Sequence, residues 1–378
     1  MKNIASYDMV SKYYSYAVEY YKDTDDEIQW LPICAIPQTI IANKTLFDQY
    51  GIKVPENYEE YVQVCQQFYD KGIKPYSMDL AEDWSNQEII QAAAIGEFTS
   101  LDGIDWRNKA ETSAGEIKFD DVLWKRIFSE TSQFLKDSHF SKEDINVNIN
   151  TGTQMFVEGK SAMFHGQPTD MQKLQDQMDA ELIRIPYFSQ TSDSSFVYMF
   201  PSLNIAFNKE LGKNQEKLDT ALDVLDCMIS EQGQKLIADG SGVISLNTDV
   251  SSMMQNVPGL EEEIKDTSIY IRYSAQKSFD ASLEAVHGLL SGKMDEMQAY
   301  NAFRSEMNSK DSKEKSTVNF ENEYSILLTD TTKSILKKIN PKCAVEQIGD
   351  TTLSSAWIAA MSNGQQPSAP EDYIEVEK

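Results

Sequence analysis

The segment from Thr39 to Met78 constrains the fold more than any other part of the chain. An apolar run, Thr39–Ala42, ends in Asn43-Lys44, and a short helix over Thr45–Tyr50 stops at Gly51. Val54-Pro55-Glu56-Asn57 reads as a turn. Tyr58, Tyr61, Val62, Cys65 and Phe68 then recur along one helical face, Gly72 stops that helix, and Ile73-Lys74-Pro75-Tyr76 opens a strand. Strand, short helix, proline turn, amphipathic helix, glycine stop and strand is the punctuation of an α/β fold.

Bulk properties narrow the function. A length of 378 residues suits about two or three compact units. An apolar content of 41% and 18 Tyr supply a real core and argue against disorder. The net charge of −26 makes nucleic acid and anionic membrane poor partners, since phosphate binding needs basic clusters. Cys34, Cys65, Cys227 and Cys343 lie far apart with no CxxC spacing. Cys65 and Cys227 fall on apolar helix faces, as buried small hydrophobes do. With three His and no HExxH or EF-hand loop, no metal site or cofactor is expected. Met1–Tyr21 carries Lys2, Asp8, Lys12 and Glu19, so it lacks the apolar core of a signal peptide.

Catalytic patterns are absent from the sequence. There is no GxSxG elbow, and Gly240-Ser241-Gly242 lacks the Lys-Ser/Thr continuation of a phosphate loop. The carboxylates are plentiful but unpatterned. A binding protein, not an enzyme, is the expectation.

The Thr39–Met78 segment resembles the extracellular solute-binding proteins of carbohydrate ABC importers. Ala42 stands where that family usually has Tyr, and Asn57-Tyr58 where it has Thr-Trp. Phe156–Gly166 (FVEGKSAMFHG), Ser230–Leu246 (SEQGQKLIADGSGVISL) and Ala285–Met294 (AVHGLLSGKM) resemble further segments of the family in the right order. Pro186-Tyr187, Ser202–Asn208 and a helix over Leu218–Ala238 fit the same order.

The resemblance implies a two-lobe, periplasmic-binding-protein-like α/β fold with each lobe discontinuous. Residues 1–44 and 196–258 would form the first lobe, and 45–195 and 259–309 the second. Hinge strands would lie near Thr39–Lys44 and Phe196–Pro201. Residues 310–317 read as a charged, Ser-rich linker, and 318–378 as a C-terminal extension that resembles nothing secure. In the family a segment like Ile28–Pro32 lies well inside the first lobe. The chain therefore looks truncated at its N-terminus, with an incomplete first lobe and apolar surface exposed around Trp30 and Ile40. The parent protein would be extracellular or cell-surface, lipid-anchored and monomeric, with ABC permease subunits as partners.

A carbohydrate site needs flat aromatic faces for sugar C–H surfaces and planar polar groups for hydroxyls. Asp83-Trp84 follows the strand Lys74–Leu80, at the usual ligand edge of an open α/β sheet. A helix-capping role is the alternative for Trp84. His165 and Gln167 follow a strand over Ser161–Phe164, where relatives often carry Trp; a solvated turn is the alternative there. Phe279 precedes a helix over Ala281–Leu290, where relatives place a stacking aromatic, or else it is core. Tyr198 and Asn204 flank the returning hinge strand, and Trp30 beside Pro32 is a further candidate. Trp124 reads as core. The function implied is capture of a sugar or small oligosaccharide by hinge closure. The alternative is a surface or sensory interaction protein using the same lobes as a scaffold.

Overall fold

Asn43 ends one strand and caps the next helix: its side chain accepts a hydrogen bond from the Leu46 N–H at 3.1 Å. Gly51 closes that helix at φ 65°, a conformation that favours glycine. Asn57 caps the following helix in the same way, through the Glu60 N–H at 2.9 Å. The punctuation read in Thr39–Met78 is thus realised by side-chain caps.

The computed structural model describes residues 3–13, 18, 27–28, 30–112, 118–202, 204–238, 243–246, 260, 268–273 and 277–309. The expected linker 310–317 and extension 318–378 lie outside them, as does Cys343. The first elements are β1 (Trp30–Leu31), β2 (Cys34–Asn43), α1 (Lys44–Tyr50), α2 (Tyr58–Asp70), β3 (Lys74–Ser77), α3 (Asp83–Ala93) and α4 (Ile95–Phe98). There follow α5 (Leu101–Thr112), α6 (Asp121–Asp137), α7 (Ile149–Val157), β4 (Ser161–Gly166), α8 (Pro168–Gln175), β5 (Leu182–Ile185) and β6 (Tyr187–Phe188). The last are β7 (Ser195–Ser202), β8 (Ile205–Ala206), α9 (Gln215–Ile229), α10 (Glu231–Ala238), β9 (Ile244–Ser245), β10 (Ser268–Ile271), α11 (Lys277–Leu290) and α12 (Glu296–Met307).

The main sheet runs β10-β7-β2-β4-β3, with β5 and β9 also on β2 and β6 on β7. Strand β2 meets four partners, β7 and β9 along its first half and β4 and β5 along its second. Its first half pairs antiparallel with β7, from Cys34 opposite Ser202 to Gln38 opposite Tyr198. Its second half pairs with β4, from Thr39 opposite Gly166 to Ala42 opposite Met163, and with β5. The change of partner falls between Gln38 and Thr39.

Two large apolar cores lie against this sheet. Successive side chains of a strand point to opposite faces, and β7 feeds both cores. Phe196 and Tyr198 join the larger one, with Phe68, Ile90, Trp124, Phe128 and Phe303. Val197 and Met199 join the smaller one, with Ile4, Leu31, Leu225 and Ile244. Strand β10 divides likewise, Tyr270 to the larger and Ile271 to the smaller.

Some expectations are corrected. The strand expected from Thr39, β2, begins at Cys34, with Pro37 inside its ladder opposite Met199. The span Leu218–Ala238 is two helices, α9 and α10, broken at Ser230. Ile40 is buried between β4 and β5, so the apolar surface expected around it is covered. Trp124 is fully buried, as expected. Cys65 is buried, while Cys227 is only half-buried.

Candidate functional site

Strands β3 and β4 are parallel neighbours, so their C-terminal ends share one edge of the sheet. From the end of β3 the loop Met78–Glu82 carries Asp79 and leads into α3, which opens with Asp83 and Trp84. At the end of β4 stand His165 and Gly166, with Gln167 just beyond. Parallel pairing thus brings Asp83, Trp84, His165 and Gln167 to the edge where ligands of open α/β sheets bind.

Trp84 is half-buried, its ring 6.3 Å from that of His165 and tilted by 39°. Asp83, also half-buried, accepts a hydrogen bond from the Trp84 N–H at 2.7 Å. The loop before them is pinned at the Leu80 carbonyl. That oxygen accepts from Asn86 Nδ2 at 3.0 Å and from His287 Nε2, on α11, at 2.7 Å.

His165 lies inside β4, which extends to Gly166, and it is buried. Its Nε2 donates to Glu88 Oε2 at 2.8 Å, and Nδ1 meets the Tyr187 hydroxyl at 2.8 Å. Glu88 is 1% exposed, and Arg272 Nη1 donates to its other oxygen. Burial alone would push the Glu88 carboxyl up. Arg272, His165 and the Gln38 side chain outweigh it and hold the group below the ordinary carboxylate value. Asp79, 2% exposed, goes the other way. Burial pushes it up against the pull of His165, Asp170, Glu82 and Glu88 add to the push, and it reaches about 7.

The other candidates spread outward from this cluster. Tyr198 is buried on β7, its ring 5.7 Å from Tyr187 and 5.3 Å from Tyr270. Phe279 is half-buried in the first turn of α11, which begins earlier than expected, at Lys277. The neighbouring Ser278 Oγ accepts from Gln87 Nε2 on α3 at 2.6 Å. Gln167 is half-buried, and its N–H donates to Asp170 at 2.9 Å. Asn204 is exposed between β7 and β8. The backbone of Trp30 pairs with Ala206 of β8, and its side chain lies outside the described residues. Asn204 and Trp30 therefore stand beside the smaller core, where Leu31 and Phe207 are buried.

Sequence reading missed Asp79, Glu88, Tyr187 and Arg272. One signal was present. Ser85–Glu88 is a polar run inside a helix whose residues from Ser85 to Ala93 are all buried. A helix polar on its buried faces calls for polar partners, which among the described residues its Ser85 Oγ, Asn86 Oδ1 and Gln87 Oε1 lack. Gln87 and Gln91 both donate to the Tyr273 carbonyl, and Gln91 accepts from the Tyr270 hydroxyl at 2.6 Å. Among the described residues no group of three or more His, Cys, Asp and Glu could hold a metal ion. No helix among them is long and apolar enough to cross a membrane.

The chain belongs to the bacterial extracellular solute-binding proteins, whose family model matches residues 1–266. It is 24% identical over 163 residues to the multiple sugar-binding protein of Streptococcus mutans. That stretch is 42% of this chain and 38% of the relative, well under two thirds of its length. Among solved structures, it is similar to a probable secreted solute-binding lipoprotein from Streptomyces coelicolor. The TM-score is 0.63 at 14% identity, over 79% of this chain and 76% of that one. It is also similar to a sugar transporter from Bacillus licheniformis in complex with stachyose. There the TM-score is 0.58 at 12% identity, over 81% and 79% of the two chains. At such identities the likeness is one of fold: the two-lobe α/β architecture.

Proposed function

We propose that the chain is the substrate-binding component of an ABC importer, holding a sugar or small oligosaccharide between two lobes and passing it to a membrane permease. The observation that carries this reading is the half-buried indole of Trp84 at the C-terminal edge of β3 and β4, backed by a buried polar network. An indole face receives the C–H surface of a sugar ring, and carboxylates and amides take its hydroxyls. Trp84, Asp83, Gln167 and Phe279 would face the ligand from one lobe, and Asn204 and Trp30 from the other. His165 and Tyr198, both buried, would act from behind. The stachyose complex of the Bacillus licheniformis neighbour and the sugar-binding Streptococcus mutans relative support the ligand class.

The lobes would be residues 1–44 with 196–258 and residues 45–195 with 259–309, although Ile40, Phe196 and Tyr198 pack in the larger core and Leu260 and Ile271 in the smaller, across those bounds. Strands β2 and β7 would be the crossings, with the β2 change of partner at Gln38–Thr39 as a hinge point. A sugar touching both lobes gains contacts only in the closed form, and that difference drives closure. The protein would work as a monomer, without turnover, outside the cell, on a lipid anchor in its full-length parent.

Thermal scanning against monosaccharides, oligosaccharides including raffinose and stachyose, and polyols tests this. A ligand at a hundred times its Kd stabilises the native state by about 2.7 kcal/mol, a plain upward shift in Tm. A panel that leaves Tm unmoved throughout rejects the proposal.

A further inference from the structure

Glu88 joins separate parts of the fold. It belongs to α3, four residues beyond Trp84. Its two oxygens take His165 of β4 and Arg272, just past β10. The side chain of Gln38, the last residue of β2 to pair with β7, also helps hold that carboxyl down. Arg272 in turn is fastened to β7. Its N–H donates to the Met199 carbonyl at 3.0 Å, and its guanidinium lies 4.3 Å over the Phe200 ring. One buried carboxylate thus bonds β4 directly and reaches β7 and β10 through Arg272, while Gln38 of β2 adds to its stabilisation.

We propose that Glu88 is a positioning residue that ties the helix carrying Trp84 to β2, β7 and the β10–α11 connection, so that the ligand shelf and the hinge change geometry together. The inference rests on the carbohydrate-binding reading for its ligand, and on the geometry alone for the tie. A buried charge that loses one of its partners is strongly destabilised. Any hinge movement that draws Gln38 or Arg272 away from α3 therefore works against Glu88. A ligand seated on Trp84, beside His165, bears on the same carboxylate through the His165–Glu88 bond.

Two variants of the full chain, Glu88→Gln and Arg272→Gln, test the tie by amide hydrogen exchange without ligand. Glutamine keeps the shape of Glu88 and removes the charge. Exchange should accelerate at least tenfold in residues 34–43, 195–202 and 268–273, and stay unchanged in α6, deep in the larger core. Arg272→Gln should mark the same segments, and the double variant should add nothing further. Acceleration confined to α3, or spread evenly through α6 as well, overturns the tie.

A second arm measures raffinose and stachyose affinity, which should fall at least tenfold in each single variant. Wild type that binds a sugar while the variants exchange like wild type overturns the tie alone. Wild type that binds no sugar, with exchange as expected, overturns the carbohydrate reading and upholds the tie.

Discussion

Asp79 holds a carboxyl group where ionisation is costly, and the cost has a direction in pH. Burial and the neighbouring carboxylates raise it from the ordinary 3.8 to about 7. The folded chain therefore keeps a proton that the unfolded chain releases. Between those values the native state binds more protons, so stability falls as pH rises and levels off above about 7. Glu130, raised to about 7 by burial and then by Glu97, with Arg126 opposing, adds a second slope of the same sign. Asp79→Asn should thus melt above wild type at pH 8, with the gap closing towards pH 4. Parallel melting profiles across that range would exclude the effect. Trp84 makes the complementary case. It is half-buried, and in the proposed function it serves the ligand. Trp84→Ala should weaken binding of the best panel sugar by about 1–3 kcal/mol, the scale of removing a central aromatic anchor, with Tm nearly unchanged. A variant that mainly loses Tm would return Trp84 to the core.

Strand β7 sends alternate side chains into different cores, which makes it a sensitive element. Met199→Ala should cost about 2–5 kcal/mol and loosen the smaller core, read as faster amide exchange around Leu225 and Ile244. Phe196→Ala should instead loosen the larger one, around Phe128 and Phe303. The same exchange pattern from both variants would contradict a sheet that separates two cores. Elements with local punctuation were legible in the sequence. Asn43, Gly51, Asn57 and Gly72 mark their helix ends through caps and a left-handed turn, contacts made within a few residues. The start of β2 was not legible, because proline argues against a central strand and Pro37 sits in one. The edge bearing Asp83, Trp84, His165 and Gln167 was legible from strand-to-helix order. The network behind it was not. Glu88 and Arg272 are 184 residues apart, and only the fold brings them together.

At the scale of the molecule, two cores share one sheet, and the proposed ligand edge lies beside β2, the strand that changes partners. A binding protein built this way should report its ligand as a change in the distance between lobes. Fluorophores placed at Lys213→Cys and Lys125→Cys, both exposed, would stand on opposite lobes of the proposed division. Cys227 and Cys343 would be replaced by serine to leave those two sites reactive. Titration with the sugar that raises Tm most should move the energy-transfer distribution towards the shorter distance. Its midpoint should equal the calorimetric Kd, with one sugar bound per chain. Sugar bound at that stoichiometry with an unchanged inter-dye distance would contradict capture by closure.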